Sequence, residues 1–173
     1  MKIANRERKH ETMETAPKPL GPLTEAIRRS MIANRSRDNS FELVVRSAFY
    51  RSGMRYRKHY RPIPGLKCEV DIAFTKAKLV VQLDGCFWHG CPVHGTVPVH
   101  NGEWWAAKLK RNRERDEFMN QELISAGWRV LRFWEHESTD AIVSIASNEV
   151  AMLHLVKRTP SDAERQPTTI ESC

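Results

Sequence analysis

Residues 84–102 read DGCFWHGCPVHGTVPVHNG, a stretch with neither the two-residue period of a strand nor the 3.6-residue period of a helix. An aperiodic segment of this length inside a compact domain brings no core of its own, so it needs a function or an internal staple. Cys86-x4-Cys91-x2-His94 places three soft or borderline ligands in one short loop, and His136, beyond the next apolar strand, offers a fourth. Together they suit a tetrahedral Cys2His2 zinc site of the closed, structural kind, which would replace the missing core. His89 and His100 compete as ligands; left out of the site, His89 between the cysteines is free to act as a base. The cysteines Cys68, Cys86, Cys91 and Cys173 do not make a secreted disulfide pattern, which in a reducing compartment strengthens the case for metal.

The segments around this loop read as an α/β domain. Residues 1–22, with Pro17 and Pro19 among charged and small residues, read as a mobile arm, and residues 158–173 as a disordered tail; the folded domain is expected over 23–157. A short amphipathic helix fits 23–32. Asn39-x-x-Glu42 is a helix start, with the amide capping and Glu42 reaching back, and Gly53 closes that helix after residue 52. Strands are expected at 54–60, 68–74, 79–83 and 128–134, the second and third joined as a hairpin, with helices at 103–126 and 140–157.

Of the 173 residues, 40% are hydrophobic, enough for an ordinary core. The longest unbroken apolar runs, four residues each at 104–107 and 150–153, are far short of the ~20 needed to span a bilayer. A polar N-terminus without an apolar core leads us to expect no secretory signal and a cytoplasmic, nucleoid-associated address. The net charge of +7 is unevenly spread: residues 1–67 carry 16 Lys and Arg against 6 Asp and Glu, net +10, and residues 68–173 carry 12 against 15, net −3. A basic bias of this kind is the footprint of a nucleic-acid binder, since each neutralised phosphate releases a counterion.

Asp71 interrupts the apolar strand Val70-Asp71-Ile72-Ala73-Phe74, where a carboxylate is costly unless paired or bound to a cation. Asp84 ends the next strand, so two carboxylates converge, as magnesium prefers, with Glu42 able to join through water. Lys108, Asn112 and Asp116 recur every fourth residue and share one helix face, within a basic run suited to phosphate contacts. An aspartate that hydrogen-bonds an imidazole fixes its tautomer, which makes His89 and Asp116 a candidate pair. Phe87-Trp88 and Trp104-Trp105 add four rings, which either pack in the core or wedge between base steps.

Three motifs, 84–94 (DGCFWHGCPVH), Asn112-x-x-Arg115-Asp116 and 127–137 (GWRVLRFWEHE), in that order resemble the very short patch repair endonucleases over residues 23–140. The resemblance implies a type II restriction endonuclease-like fold, a mixed sheet flanked by helices, with structural zinc on Cys86, Cys91, His94 and His136. It implies a magnesium-dependent enzyme that nicks DNA 5′ to the thymine of a T:G mismatch left by deaminated 5-methylcytosine. By position, Asp71 is similar to the magnesium ligand, His89 to the catalytic histidine, Asp116 to its carboxylate partner and Glu42 to the helix glutamate. Phe87, Trp88 and Trp105 resemble the aromatic wedge, and Met31 the residue entering from the other groove. Lys108, Asn112 and Arg115 complete the expected DNA contacts. The related nuclease pattern of Asp followed by Glu-x-Lys is absent: the later strand reads Gln82-Leu83-Asp84, so the Leu83 carbonyl would bind the metal beside Asp71 and His89 would replace the lysine. The expected partner is a duplex with a T:G mismatch, acted on by a monomer, with mismatch-repair proteins as further partners. Two alternatives stand beside this reading: a restriction-type nuclease of a specific or modified duplex, and a zinc-stapled DNA-binding module without catalysis.

Overall fold

A computed structural model of the chain describes Gly21, Thr24, Glu25, Arg29 and residues 37–156. The expected arm and tail, Met31 and nearly all of the helix expected over 23–32 lie outside the described residues, Glu25 and Arg29 being helical. Helix α1 (Ser40–Arg51) is followed by strands β1 (Arg57–Tyr60), β2 (Val70–Phe74) and β3 (Leu79–Asp84), the short helix α2 (Cys86–His89), the long helix α3 (Gly102–Ser125), strand β4 (Arg129–Trp134) and helix α4 (Thr139–Val156). The sheet order is β1-β2-β3-β4. β1, β2 and β3 form an antiparallel meander, and β4 returns parallel to β3 after the α2 and α3 crossover, so the sheet is mixed.

Strand alternation divides the core between the two faces. Ile72, Phe74, Leu79, Val81 and Leu83 pack with Phe133 against Val45 and Phe49 of α1 and Ile142 and Ala146 of α4. Ala73 and Val80 face the other way, with Cys68, Val70, Trp128 and Leu123 of α3. The hairpin is apolar on both sides because helices cover both sides. Asp71, Gln82 and Asp84 fall on the α3 face by the same alternation, gathered near the end of the sheet where β3 hands over to α2.

α1 begins as a capped helix should: Asn39 Oδ1 accepts the Glu42 N–H at 2.9 Å. Glu42 reaches back one residue further than a standard capping box, accepting the Asp38 N–H at 3.0 Å and the Asn39 side-chain N–H at 2.8 Å.

Three expectations need correction. β1 begins at Arg57 rather than 54, because the Met54 N–H closes the end of α1 on the Phe49 carbonyl. The second strand begins at Val70 rather than 68, where pairing with Tyr60 starts. The stretch expected to be irregular contains a single helical turn, α2, which local hydrogen bonds allow without an amphipathic period: His89 N–H donates to the Gly85 carbonyl and Cys91 N–H to that of Cys86. Gly90 ends this turn with φ of +68°, where a Cβ would also meet the Arg113 guanidinium at 2.7 Å.

Candidate active site

α3 holds the short helix in place along one face. Asn112 donates its side-chain N–H to the Trp88 carbonyl at 3.0 Å. Four residues on, Asp116 Oδ2 lies 2.5 Å from His89 Nδ1. Four residues earlier, the Lys108 ammonium sits 4.7–5.4 Å from the rings of Trp88, Trp104 and Trp105. The three residues that share a helix face by their spacing therefore all contact or support one turn of chain, and they bring His89 to a defined position. With Asp116 accepting from Nδ1, Nε2 is the nitrogen left to act as a base. Arg115 is 61% exposed and reaches Asp116 Oδ1 at 3.2 Å.

Asp71 is oriented by the backbone of the adjacent strand: its Oδ2 accepts the Leu83 N–H at 2.8 Å, while its own N–H donates to the Gln82 side chain. Burial first, and then the charges of Glu42 and Asp84, raise the Asp71 carboxyl to about 6 against the Leu83 hydrogen bond. A carboxylate with this surplus of negative charge around it suits a divalent cation. Glu42 itself is 3% exposed and already held by the cap. Asp84 is 5% exposed, and both of its oxygens are taken by Arg132, at 2.6 Å from Nε and from Nη2. Burial would raise Asp116, but the His89 hydrogen bond and the charges of His89 and Arg132 outweigh it and hold the carboxyl below its usual value.

Cys86, Cys91, His94 and His136 each offer one ligand atom, and these atoms lie within 4.8 Å of one another. Cys86 Sγ is 3.1 Å from His136 Nδ1 and 3.9 Å from His94 Nδ1, and Cys91 Sγ is 3.7 Å from His136 Nδ1. Sulfur and nitrogen ligands on a tetrahedral zinc stand about 3.5 Å apart, so the donor set and its spacing both suit that ion. Gly95 permits the tight return: its N–H bonds the Cys91 carbonyl at 2.8 Å, and a Cβ there would lie 2.4 Å from that same oxygen. His100 bonds the Gly21 carbonyl instead, and neither it nor His89 belongs to the cluster.

Phe87, Trp88 and Trp105 touch pairwise, with ring centroids 5.0–5.8 Å apart, beside this cluster. Trp105 is the buried member. A 450 Å³ cavity between Met54, Tyr56, Phe74 and Val150 lies at the turn end of the β2–β3 hairpin, the end away from Asp71.

Residues 23–94 match the family of the DNA mismatch endonuclease Vsr. The nicking enzyme V.NaeI of Lentzea aerocolonigenes is 48% identical over 127 residues, covering 72% of this chain and 76% of the relative. The nicking enzyme V.XorIIP of Xanthomonas oryzae is 37% identical over 61% of this chain and 76% of its own. The DNA mismatch endonuclease Vsr of Escherichia coli is 32% identical over 62% and 67%. The chain belongs to the Vsr family. Membership makes it an endonuclease that acts on DNA, and the Cys/His cluster a candidate metal site. No described helix is long and apolar enough to cross a membrane.

Two participants escape the sequence reading. Glu135 accepts the Cys86 N–H at 2.9 Å and anchors the entry to α2. Arg132 binds Asp84, lies 3.5 Å from Asp116 and donates to Asn120 at 3.1 Å. Its signal was present, since Arg132 is a charge inside an apolar strand just as Asp71 is.

Proposed function

We propose that this Vsr-family enzyme nicks one strand of duplex DNA 5′ to the thymine of a T:G mismatch, on a type II restriction endonuclease-like fold. The observation that carries the reading is the His89–Asp116 pair held by α3 beside the buried Asp71. Asp71 and the Leu83 carbonyl would hold magnesium, with Glu42 joining through water. When bound, magnesium polarises the scissile phosphate and stabilises the leaving oxygen. His89, oriented by Asp116, takes the proton of the attacking water through Nε2. Cys86, Cys91, His94 and His136 would hold zinc as a structural staple for the loop that carries His89. Phe87, Trp88 and Trp105 wedge into the mismatch, with Met31 entering from the other groove. Lys108, Asn112 and Arg115 line the approach of the phosphates, Lys108 and Asn112 also bracing the wedge from behind.

The mismatch as target is supported by the family and by the name of the Escherichia coli relative, and single-strand cleavage by the names of the Lentzea and Xanthomonas relatives. The test compares nicking of T:G, C:G and T:A duplexes that differ only at the central pair, with magnesium present. Preferential nicking of T:G supports the reading, and equal cleavage of the paired duplexes makes the protein a restriction-type nuclease instead. Asp71→Ala abolishes nicking while DNA binding persists, because it removes a metal ligand and no basic contact; retained magnesium-dependent cleavage by that variant overturns the assigned site.

A further inference from the structure

His89 Nδ1 faces two carboxylates, Asp116 Oδ2 at 2.5 Å and Asp84 Oδ1 at 3.5 Å. An Nδ1–H is a single donor, and the choice of acceptor sets how the ring is turned and where Nε2 points. Asp84 is buried at the end of β3, next to the turn that carries His89, and as a free carboxylate it would compete with Asp116 for that proton. It is not free. Arg132, on the parallel neighbour β4, covers both Asp84 oxygens at 2.6 Å in a two-pronged pair. Asn120 on α3 accepts from the remaining Nη1 at 3.1 Å, so the guanidinium is held from β3 and from α3. The same Nη2 lies 3.5 Å from Asp116, on the oxygen that His89 uses, which ties the pair to the histidine's partner.

Resting on the proposed role of His89 as the base, we propose that Arg132 is a positioning residue for the nicking reaction: by occupying both oxygens of Asp84 it directs the His89 Nδ1–H to Asp116. Asp84 is then the counter-ion of Arg132. The inference makes a non-additive prediction, because the harm in losing Arg132 comes from the carboxylate it uncovers.

Nicking of a T:G duplex in magnesium is measured for the wild type, His89→Ala, Arg132→Gln and the double variant Asp84→Asn/Arg132→Gln, together with duplex affinity and thermal midpoint. Arg132→Gln should lower kcat by about 10–100-fold, the usual effect of losing a partner that orients a site, with KM changed less than about twofold. The double variant, which has no uncovered carboxylate, should recover to within about threefold of the wild type. A double variant no faster than the single, with thermal midpoints showing both folded at the assay temperature, would instead mean that the uncovered carboxylate is not the cause of the loss. That result overturns the inference, as does a wild-type kcat for folded Arg132→Gln. If Arg132→Gln does not fold, the double variant is compared directly with the wild type: a kcat within about threefold supports the inference, and a larger loss overturns it. The His89→Ala control separates the two levels of the argument. Undiminished nicking by that variant defeats the assignment of His89 as the base; an inactive His89→Ala beside an unimpaired Arg132→Gln defeats only the role of Arg132.

Discussion

Among the described residues, two clusters bring metal-type ligands within 4.8 Å of one another: Cys86, Cys91, His94 and His136, and Asp38, Glu42 and His59. They differ in what already occupies them. The first sets two thiols and two imidazoles facing one another across the loop. The second has a cation built in. Arg46, 4% exposed, contacts Asp38 Oδ1 at 2.5 Å and Glu42 Oε2 at 3.7 Å, Lys58 adds a second cation to Asp38 at 3.5 Å, and His59 Nε2 lies 3.2 Å from the same oxygen. Proximity and ligand type are therefore insufficient to define a metal site, because a buried arginine converts the same geometry into an ion-pair network.

This contrast is open to direct attack, and the largest effect should come from the first cluster. On the proposed zinc assignment, a chelator, or replacement of Cys91 by Ser, should loosen the segment that carries His89 and abolish nicking, with zinc falling from one per chain toward none in metal analysis and the midpoint of thermal unfolding lowered. A protein that keeps its midpoint and activity after chelation would break the contrast at this end. A smaller effect is expected from Arg46→Met, which leaves Glu42 buried without its cation and costs about 3 kcal/mol in chemical denaturation, at the low end for a broken buried pair because the cap still holds Glu42. Metal content should not change. An unchanged denaturation midpoint would show that Arg46 is not what neutralises the second cluster.

The smallest effect belongs to Asp38. Its hydrogen bonds to Arg46 and then His59, with the neighbouring positive charges, lower its carboxyl from 3.8 to about 2. A carboxyl depressed in the folded state adds stability above its unfolded value, and that increment is lost as pH falls through the folded one. Asp38→Asn should therefore be less stable than the wild type at pH 5, with the gap closing between about pH 4 and pH 2, because both chains are then neutral at this position. Denaturation series at the two pH values check this, and a gap that persists at the lower pH would place the effect in packing.

Much of this arrangement was legible in the chain because it is local. The cap at Asn39, the spacing of Lys108, Asn112 and Asp116, and the ligand set of Cys86, Cys91, His94 and His136 depend on residue types at short or regular separations. Asp71 stood out because an acid inside an apolar strand demands a partner. The one-turn helix at Cys86–His89 escaped detection because four residues carry no period.

The sequence by itself determined the alternation of helices and strands, the Cys and His set of the loop, and the chain positions of Asp71, His89 and Asp116. Only the tertiary structure decided which charges meet. Asp84 and Arg132 are 48 residues apart and are joined by the parallel pairing of β3 with β4, and Lys58 and His59 of β1 meet Asp38 across 20 and 21 residues of chain. Ion pairs of this range follow from register and crossover, which no spacing along the chain encodes, and their strength follows from burial, which exists only once the helices have closed over both faces of the sheet.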